Sequence, residues 1–476
     1  MSTSSLCPLI PAQNINPLGL LSGLLRWDPA NGSTGESPDL LVYQSTSDLL
    51  ADAPEELDAY QVIEQFRIIR LSAGENALAA PVFPSQILTN DLLHQIIFDF
   101  ASPATLFRLA QTCQQARFAI QHYIRKTFDI NKHLLRFFND PLAFRSLQAR
   151  TGTLISGSSA LQFFDRTFYP ESDLDLYVFL HERDEVGQWL ISQGYTFIPN
   201  SIQDPDFAIE VLRARTQMNT HPYTRMRGVS TIYTFKKPSA HDPANDLKVQ
   251  IIVAFRSPME VILNFHSTVV MNVIAWDHAY SLYPQATFED RLSLYLQPLR
   301  DRDYPAIQKY TRRGWSVTQD VPAYHPLTGI PLPSPHTRLF PLTPRWIADK
   351  HSWVLPLDTA GLTPPPALSP TSVPLSRDPC FVTSWQVFFT VSRSAIRRGV
   401  PPAGFRIKYE VLDAQGFYYS YVCAPGEPGE RVNTAIALLQ RLYVSLPGAG
   451  PWNEGSPPAF TSVFNTAPRP METTSD

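Results

Sequence analysis

The chain reads Leu154-Ile-Ser-Gly-Ser-Ser-Ala-Leu-Gln-Phe-Phe164 in one stretch and Glu171-Ser-Asp-Leu-Asp-Leu-Tyr-Val178 in the next, and these two stretches decide the fold. The first begins as a short apolar strand, turns at a Gly-Ser pair and continues as a helix. The second is an apolar strand that carries two carboxylates, Asp173 and Asp175. Because strand side chains alternate, both carboxylates point to the same face of the sheet.

This arrangement suits a metal ion beside a phosphate group. Two carboxylates on one face repel each other unless a cation lies between them, so Asp173 and Asp175 are candidate Mg²⁺ ligands. Gly157 allows a ligand to approach the backbone closely, and Ser158 opens a helix whose free N–H groups attract phosphate. Metal ions in such sites stabilise the attacking and leaving oxygens of phosphoryl or nucleotidyl transfer. The structural alternative is an ordinary turn followed by a solvated strand.

The same residues resemble the signature of the DNA-polymerase-beta-like nucleotidyltransferase superfamily. In that family a glycine turn is followed, after a spacer, by an Asp-x-Asp pair between apolar residues. The resemblance covers about residues 153–253. It implies that Gly157 and Ser158 hold a nucleoside triphosphate and that Asp173 and Asp175 bind Mg²⁺.

One departure from the family pattern concerns a third carboxylate, which the family carries on a later strand. The corresponding strand here reads Leu247-Lys-Val-Gln-Ile-Ile-Val253, and Gln250 takes the place of the acid. A glutamine amide neither acts as a base nor binds a metal as an anion. Asp246, at the start of this strand, is the candidate substitute. The resemblance therefore implies a nucleotidyltransferase-like domain whose catalytic set is impaired.

A helical segment precedes this region. Asn90 is placed to cap one helix, and Ser102-Pro103 is the start signal of the next. The segment resembles an F-box, the short helical module that docks onto the Skp1 adaptor of cullin ubiquitin ligases. Thr89 and Ala116 stand where that family usually has proline and tryptophan. The alternative is ordinary core packing. The resemblance implies a partner-binding surface formed by Leu88, Leu92, Leu93, Ile96, Ile97, Leu106 and Leu109.

Composition divides the chain further, and the predicted fold class is α+β. The 44 prolines are well above the usual share of roughly 5% and are unevenly placed. The mostly apolar run from Met259 to Trp276 predicts a long buried helix. The expected segments are a flexible leader (1–53), the F-box-like helices (83–128), a nucleotidyltransferase-like mixed-sheet domain (129–315), a proline-rich linker (316–380), a small α+β block (381–446) and a disordered tail (447–476).

Bulk properties limit the classes of partner. The net charge of −4 gives no reason to expect general nucleic-acid binding. The four cysteines are far apart, which favours reduced thiols over disulfides or a zinc site. No apolar stretch is long enough for a membrane span, and no signal peptide is recognised, so we expect a cytoplasmic or nuclear protein. The segment Lys309-Tyr-Thr-Arg-Arg-Gly-Trp315 favours helix capping, with a basic wall facing a nucleotide phosphate as the alternative.

These observations lead to one functional expectation with two alternatives. The expectation is an F-box-like adaptor, binding a Skp1-like protein in a ubiquitin ligase, whose nucleotidyltransferase-like domain is a pseudoenzyme. The first alternative is an active Mg²⁺-dependent nucleotidyltransferase that uses Asp173, Asp175 and Asp246. The second is a nucleotide sensor that binds a nucleoside triphosphate without turnover. The whole arrangement also resembles a group of fungal proteins, which adds no mechanism.

Overall fold

The computed structural model is mixed α+β, which confirms the predicted fold class. The chain divides into two compact units, with the boundary between Tyr123 and Ile124. The expected leader at 1–53 lies outside the described residues. The structure describes residues 87–216, 226–239, 245–296, 304–318, 338–365, 379–380, 383–390, 404–412, 419–424 and 460–463.

The described part of the first unit is helical. Its helices are α1 (Asp91–Asp99), α2 (Pro103–Ala110) and α3 (Gln114–Thr127), and the unit boundary falls within α3. The predicted start signals are confirmed, because the Asn90 side chain accepts from two backbone N–H groups of α1 and Ser102 caps α2. The Tyr123 hydroxyl donates to Asp99 at 2.8 Å, which ties α3 to the end of α1.

The second unit is built around a mixed sheet. The described strands of this unit are β1 (Leu154–Ser156), β2 (Leu174–Phe179), β3 (Thr196–Ile198), β4 (Val229–Pro238), β5 (Asp246–Ala254), β6 (Asn272–Ile274), β7 (His278–Ser281), β8 (Leu292–Leu294), β9 (Ser316–Thr318), β10 (Arg345–Trp346), β11 (Trp353–Pro356), β12 (Ser384–Thr390), β13 (Gly404–Leu412), β14 (Tyr421–Cys423) and β15 (Phe460–Val463).

Eight of these strands form the main sheet, in the order β11–β7–β6–β1–β2–β5–β4–β3. The β1–β2 pair is antiparallel and the β2–β5 pair is parallel. One register row runs across the centre of the sheet from Ser156 to Asp175, then to Gln250 and Thr234. The intervening apolar side chains, such as Leu174 and Leu176, are fully buried, as expected for a strand covered on both faces.

The second unit also contains helices, and one of them begins at the centre of the main sheet. They are α4 (Ile130–Leu134), α5 (Pro141–Thr151), α6 (Gly157–Asp165), α7 (Arg183–Ser192), α8 (Phe207–Thr216), α9 (Pro258–Leu263) and α10 (Tyr304–Arg312). Helix α6 follows β1 without a linker, so its first residue lies at the edge of the central row.

The apolar run from Met259 to Trp276 does not form the long helix that the sequence predicts. Helix α9 ends at Leu263, a 3₁₀ turn covers Thr268–Val270 and the run ends in strand β6. Nearly every residue of the run is buried, and periodicity alone does not separate a fully buried helix from a buried strand.

The segment expected as a proline-rich linker, 316–380, contributes strands β9, β10 and β11. Strand β11 pairs antiparallel with β7 at the edge of the main sheet, where Trp353 and Leu355 are buried. A second sheet has the order β10–β12–β13–β14, and β15 also pairs with β13. Strand β15 lies within the segment expected as a disordered tail; the rest of that segment lies outside the described residues.

Candidate functional site

The turn between β1 and α6 brings the backbone against the acidic pair. Gly157 has a φ of 71°, in the left-handed region that favours glycine. A Cβ on this residue would lie 3.0 Å from Asp175 Oδ2, so glycine permits the close approach. The Ser156 hydroxyl donates to the Asn272 carbonyl at 2.6 Å and makes no cap bond to α6. The first N–H groups of α6 therefore have no side-chain cap from Ser156.

Asp175 is the more enclosed of the two acids. It lies within β2, where burial raises the pKa of its carboxyl to about 7, and the nearby Asp173 charge adds to this rise. Lys248 and Lys309 act in the opposite direction on the same pKa. The hydroxyl groups of Tyr177 and Tyr310 are close enough that the Asp175 charge contributes, after burial, to raising the pKa of each. The carboxyl thus lies among two neutral phenols and two ammonium groups.

Asp173 has a cationic partner that the sequence did not reveal. Lys248 Nζ lies 2.6 Å from Asp173 Oδ2, and each side chain is 32% exposed. Parallel pairing of β2 with β5 aligns Leu174 with Val249, so the preceding residue of each strand is adjacent as well. The sequence contains part of the information needed to predict this contact, because Lys248 and Gln250 lie two residues apart on a predicted strand. The parallel register that brings them beside the acids could not be read from the chain.

An amide stands beside Asp175, on the strand where the resemblance implies a third acid. Gln250 is the register partner of Asp175, and its Nε2 donates to the hydroxyl of Thr234 at 3.3 Å. Asp246 lies four residues before Gln250, a distance of about 13 Å along an extended strand. Its carboxylate is exposed and pairs with Lys236 at 3.5 Å. The structure therefore brings Asp173 and Asp175 together and leaves Asp246 apart from them.

A basic surface faces the acids from two further elements. Lys309 lies in the last turn of α10, where burial and Arg313 lower the pKa of its ammonium, while Asp175, Asp173 and Glu171 raise it. Arg313 Nη2 lies 2.5 Å from Glu171 Oε1. The segment also ends a helix, with Gly314 at a φ of 96°. The residues of the capping motif thus supply the basic wall as well.

Arg136, just after α4, completes this surface and was also missed by sequence reasoning. Its guanidinium donates to the carbonyl of Tyr169 at 3.0 Å, in the loop that leads to the acidic pair. Glu171 and Asp173 both act on its pKa, which burial lowers. Arg313 lies over the ring of the same Tyr169, 3.6 Å from its centre. Both arginines therefore fix the loop that precedes Asp173.

Asp173 and Asp175 do not by themselves complete the ligand set of a divalent metal ion such as Mg²⁺. Mg²⁺ requires a nearly octahedral set of oxygen ligands at about 2.0–2.1 Å. Here an ammonium group occupies one oxygen of Asp173, and the register partner of Asp175 is an amide. Within the described ranges, no group of three or more His, Cys, Asp or Glu side chains is arranged to hold a metal.

The seven F-box-like positions differ in exposure. Leu88 and Leu106 are buried, and the Leu92 side chain is exposed, with 53% of its surface accessible. The other four (Leu93, Ile96, Ile97 and Leu109) are half-buried. Phe100, Phe107 and Phe118 of the same unit are also exposed, at 62%, 42% and 68%.

Comparisons of the chain with protein families, with curated proteins and with solved structures gave no match. No helix among the described residues is both long enough and apolar enough to cross a membrane.

Proposed function

We propose that the protein is an interaction protein with two binding functions. Its F-box-like helices dock onto a Skp1-like adaptor, and its second unit is a nucleotidyltransferase-like domain that binds a nucleoside triphosphate and is impaired in transfer. The observation that carries the second part is Gln250 at the position beside Asp175, where the family resemblance requires a third acid.

The strand arrangement supports nucleotide binding. The β1 turn, the acidic strand β2 and the third-position strand β5 are adjacent in the sheet, with β2 at the centre. A Cβ at Gly157 would lie 3.0 Å from Asp175 Oδ2, and the first turn of α6, which has no side-chain cap from Ser156, starts at the same residue. Backbone N–H groups at a helix start, next to cationic side chains, are suited to phosphate oxygens.

Two contacts support the impairment. Gln250 has no carboxylate that could take a proton from an acceptor hydroxyl. Asp173 is paired with Lys248 at 2.6 Å, which lowers its capacity to act as an anionic ligand. Asp246 is directed to Lys236 on the neighbouring strand. The site keeps the parts that bind phosphate and lacks a complete set for transfer.

The test of this part is nucleotide turnover by the full-length protein. Each of the four ribonucleoside triphosphates is incubated with Mg²⁺ or Mn²⁺, beside the double variant Asp173→Asn/Asp175→Asn and the exposed control Asp290→Asn. We expect nucleotide binding and no turnover above the double variant. Turnover that the double variant abolishes and Asp290→Asn retains would establish an active transferase instead. Absence of binding would refute the nucleotide part of the proposal.

Exposure of apolar side chains supports the adaptor part. Leu92 projects from the first turn of α1 with 53% of its surface accessible, and Phe107 of α2 is 42% exposed. A short helical unit buries little of its own apolar surface, so a partner helix would cover these side chains.

The test of the adaptor part is co-purification with Skp1. We expect the wild-type protein to retain Skp1 and the Leu92→Asp and Ile96→Asp variants to lose it. The Leu92 side chain is exposed, so this substitution leaves the unit folded, and circular dichroism verifies that. Ile202→Asp, at a 77% exposed residue of the second unit, is the matched control. Equal Skp1 retention by Leu92→Asp and wild type would refute the adaptor role.

A further inference from the structure

The contact between Lys248 and Asp173 has a consequence for how the site binds its ligand. We infer that this site binds the phosphates of its ligand without a divalent metal ion, and that Lys248 and Lys309 supply the positive charge that the metal would carry. The inference rests on the proposed nucleotide binding, and it adds which positive charges neutralise the bound phosphates. The ligand class is a polyphosphate, either as part of a nucleoside triphosphate or free.

The ammonium group of Lys248 lies beside the acidic pair, between β2 and β5. Lys248 Nζ lies 2.6 Å from Asp173 Oδ2, and its strand neighbour Gln250 stands beside Asp175. A cation that bridges the acidic pair to a phosphate would occupy this place between β2 and β5. An ammonium group has three donors, so it can bond to a carboxylate and still donate to a phosphate oxygen. The 32% exposure of its side chain leaves it accessible from solvent.

The charged side chains around this contact include more cations than carboxylates. Four cations and three carboxylates interact around this point, which leaves one excess positive charge, since four minus three is one. They are the cations Lys248, Lys309, Arg136 and Arg313 and the carboxylates Asp173, Asp175 and Glu171. The whole chain has a net charge of −4, so this is a local concentration of positive charge. Such an excess attracts a polyphosphate, because its phosphate groups carry several negative charges.

Arg313 carries a buried donor that has no acceptor among the described residues. The Arg313 side chain is 8% exposed, and its Nη2 pairs with Glu171. Its Nη1 is buried and has no hydrogen-bond partner in the described part of the chain. Buried donors in folded proteins are nearly always paired, so this nitrogen can take an acceptor beyond those in the described part of the chain. A phosphate oxygen beside Lys309 supplies it, because guanidinium groups bind phosphate strongly.

The experiment compares binding with and without metal on the full-length protein. Calorimetry measures the Kd of ATP and of inorganic tripolyphosphate in buffer with excess EDTA and in buffer with Mg²⁺. We expect the two values for ATP to agree within about threefold, and tripolyphosphate to bind in EDTA. In EDTA, Lys248→Met and Lys309→Met each weaken ATP binding about tenfold or more, because each removes a charge-assisted bond to phosphate.

Two variants serve as controls. Lys350→Met removes an exposed lysine distant in sequence from the site and leaves the affinity unchanged. Lys248→Arg keeps the charge, so it retains binding where Lys248→Met loses it, and this separates lost charge from lost folding. Circular dichroism verifies that all variants are folded.

Each remaining outcome overturns a defined statement. If EDTA weakens ATP binding by more than about threefold, if tripolyphosphate does not bind in EDTA, or if Lys248→Met leaves ATP binding unchanged in EDTA, the inference is wrong and the proposed nucleotide binding stands. If neither ATP nor tripolyphosphate binds in either buffer, both the inference and the proposed nucleotide binding are wrong.

Discussion

Two carboxylates that look equivalent in the sequence have different chemical surroundings in the fold. Asp173 has an ammonium partner at 2.6 Å and is about one-third exposed. Asp175 lies against the glycine turn, close to the Tyr177 hydroxyl, and burial raises the pKa of its carboxyl to about 7. Enclosing a charged carboxylate costs free energy, and such costs are typically retained at functional sites. The pair is therefore one carboxylate with an ammonium partner and one enclosed carboxyl whose pKa is raised to about 7.

Asp175→Asn tests this difference through stability at several pH values. Burial raises the pKa of Asp175 from 3.8 to about 7, so its contribution to stability is fully present below pH 3.8 and is lost as pH rises to about 7. Asn is neutral at every pH and avoids that loss. We expect the variant to be more stable than wild type at pH 8, by about 1–4 kcal/mol, and the two to converge near pH 4. Urea unfolding at pH 4 and at pH 8 measures the free energy of unfolding of the variant and of wild type.

The charges of the groups that face Asp175 are already included in the expected difference in stability. Asp173 raises its pKa and the ammonium groups of Lys248 and Lys309 lower it, so the expected gain is already net of these charges. The exposed Asp290→Asn serves as the matched variant and is expected to follow wild type. A pH-independent difference between Asp175→Asn and wild type would show that the carboxyl does not titrate in this range.

Register between strands decides which side chains meet at the site, and this explains how far the sequence could predict it. The alternation Asp173-Leu-Asp175 and the Gly-Ser turn are local, and the structure brings these residues together as their spacing suggests. Lys248 was missed because its contact depends on the parallel alignment of β2 with β5, which are separated by more than 60 residues.

The helix predictions also succeed where the signal is local and fail where it is not. Asn90 and Ser102 cap the helices that they predict, because a cap acts on N–H groups within three residues. The run from Met259 to Trp276 was predicted as one helix and is divided among a helix, a 3₁₀ turn and a strand. Its residues are buried on all sides, so no polar face marks the period.

Strand β5 can be altered to test the role of its third-position amide. Gln250→Glu places a carboxylate beside Asp175, and Lys248→Met removes the ammonium partner of Asp173, so the double variant has three acids and lacks the Lys248–Asp173 pair. We expect excess Mn²⁺ to raise the melting temperature of the double variant by several degrees, since saturating a site at about 100 times its Kd adds about 2.7 kcal/mol. Wild type is expected to show no comparable shift in differential scanning fluorimetry.

The single substitutions identify the cause. Gln250→Glu alone keeps the Lys248–Asp173 pair and is expected to respond more weakly to Mn²⁺ than the double variant. An equal response of wild type and the double variant would mean that the native residues already form a metal site. That result would contradict both the fit argument and the metal-independent binding inferred above.

At the scale of the second unit, distant parts of the chain meet behind the acidic strand. The Tyr419 ring stacks on Phe179, the last residue of β2, with 4.2 Å between ring centres and 19° between planes. The same ring fills the space over Gly152, where a Cβ would lie 2.8 Å from it. Residues near 420 therefore help to hold the strand that carries Asp175, within the same compact unit.

Tyr419→Ala tests whether this stacking stabilises the whole unit. The ring is 1% exposed, and deleting a buried aromatic side chain costs about 3–5 kcal/mol. We expect urea unfolding of the full-length protein, followed by tryptophan fluorescence, to show the second unit losing about that free energy in one transition. Tyr419→Phe keeps the stack and loses only the hydroxyl, which donates to the Arg150 carbonyl at 3.3 Å, so it is expected to cost about 1 kcal/mol. If Tyr419→Ala costs no more than Tyr419→Phe, the chain near residue 420 does not support the sheet, and the second unit is stabilised by its central strands alone.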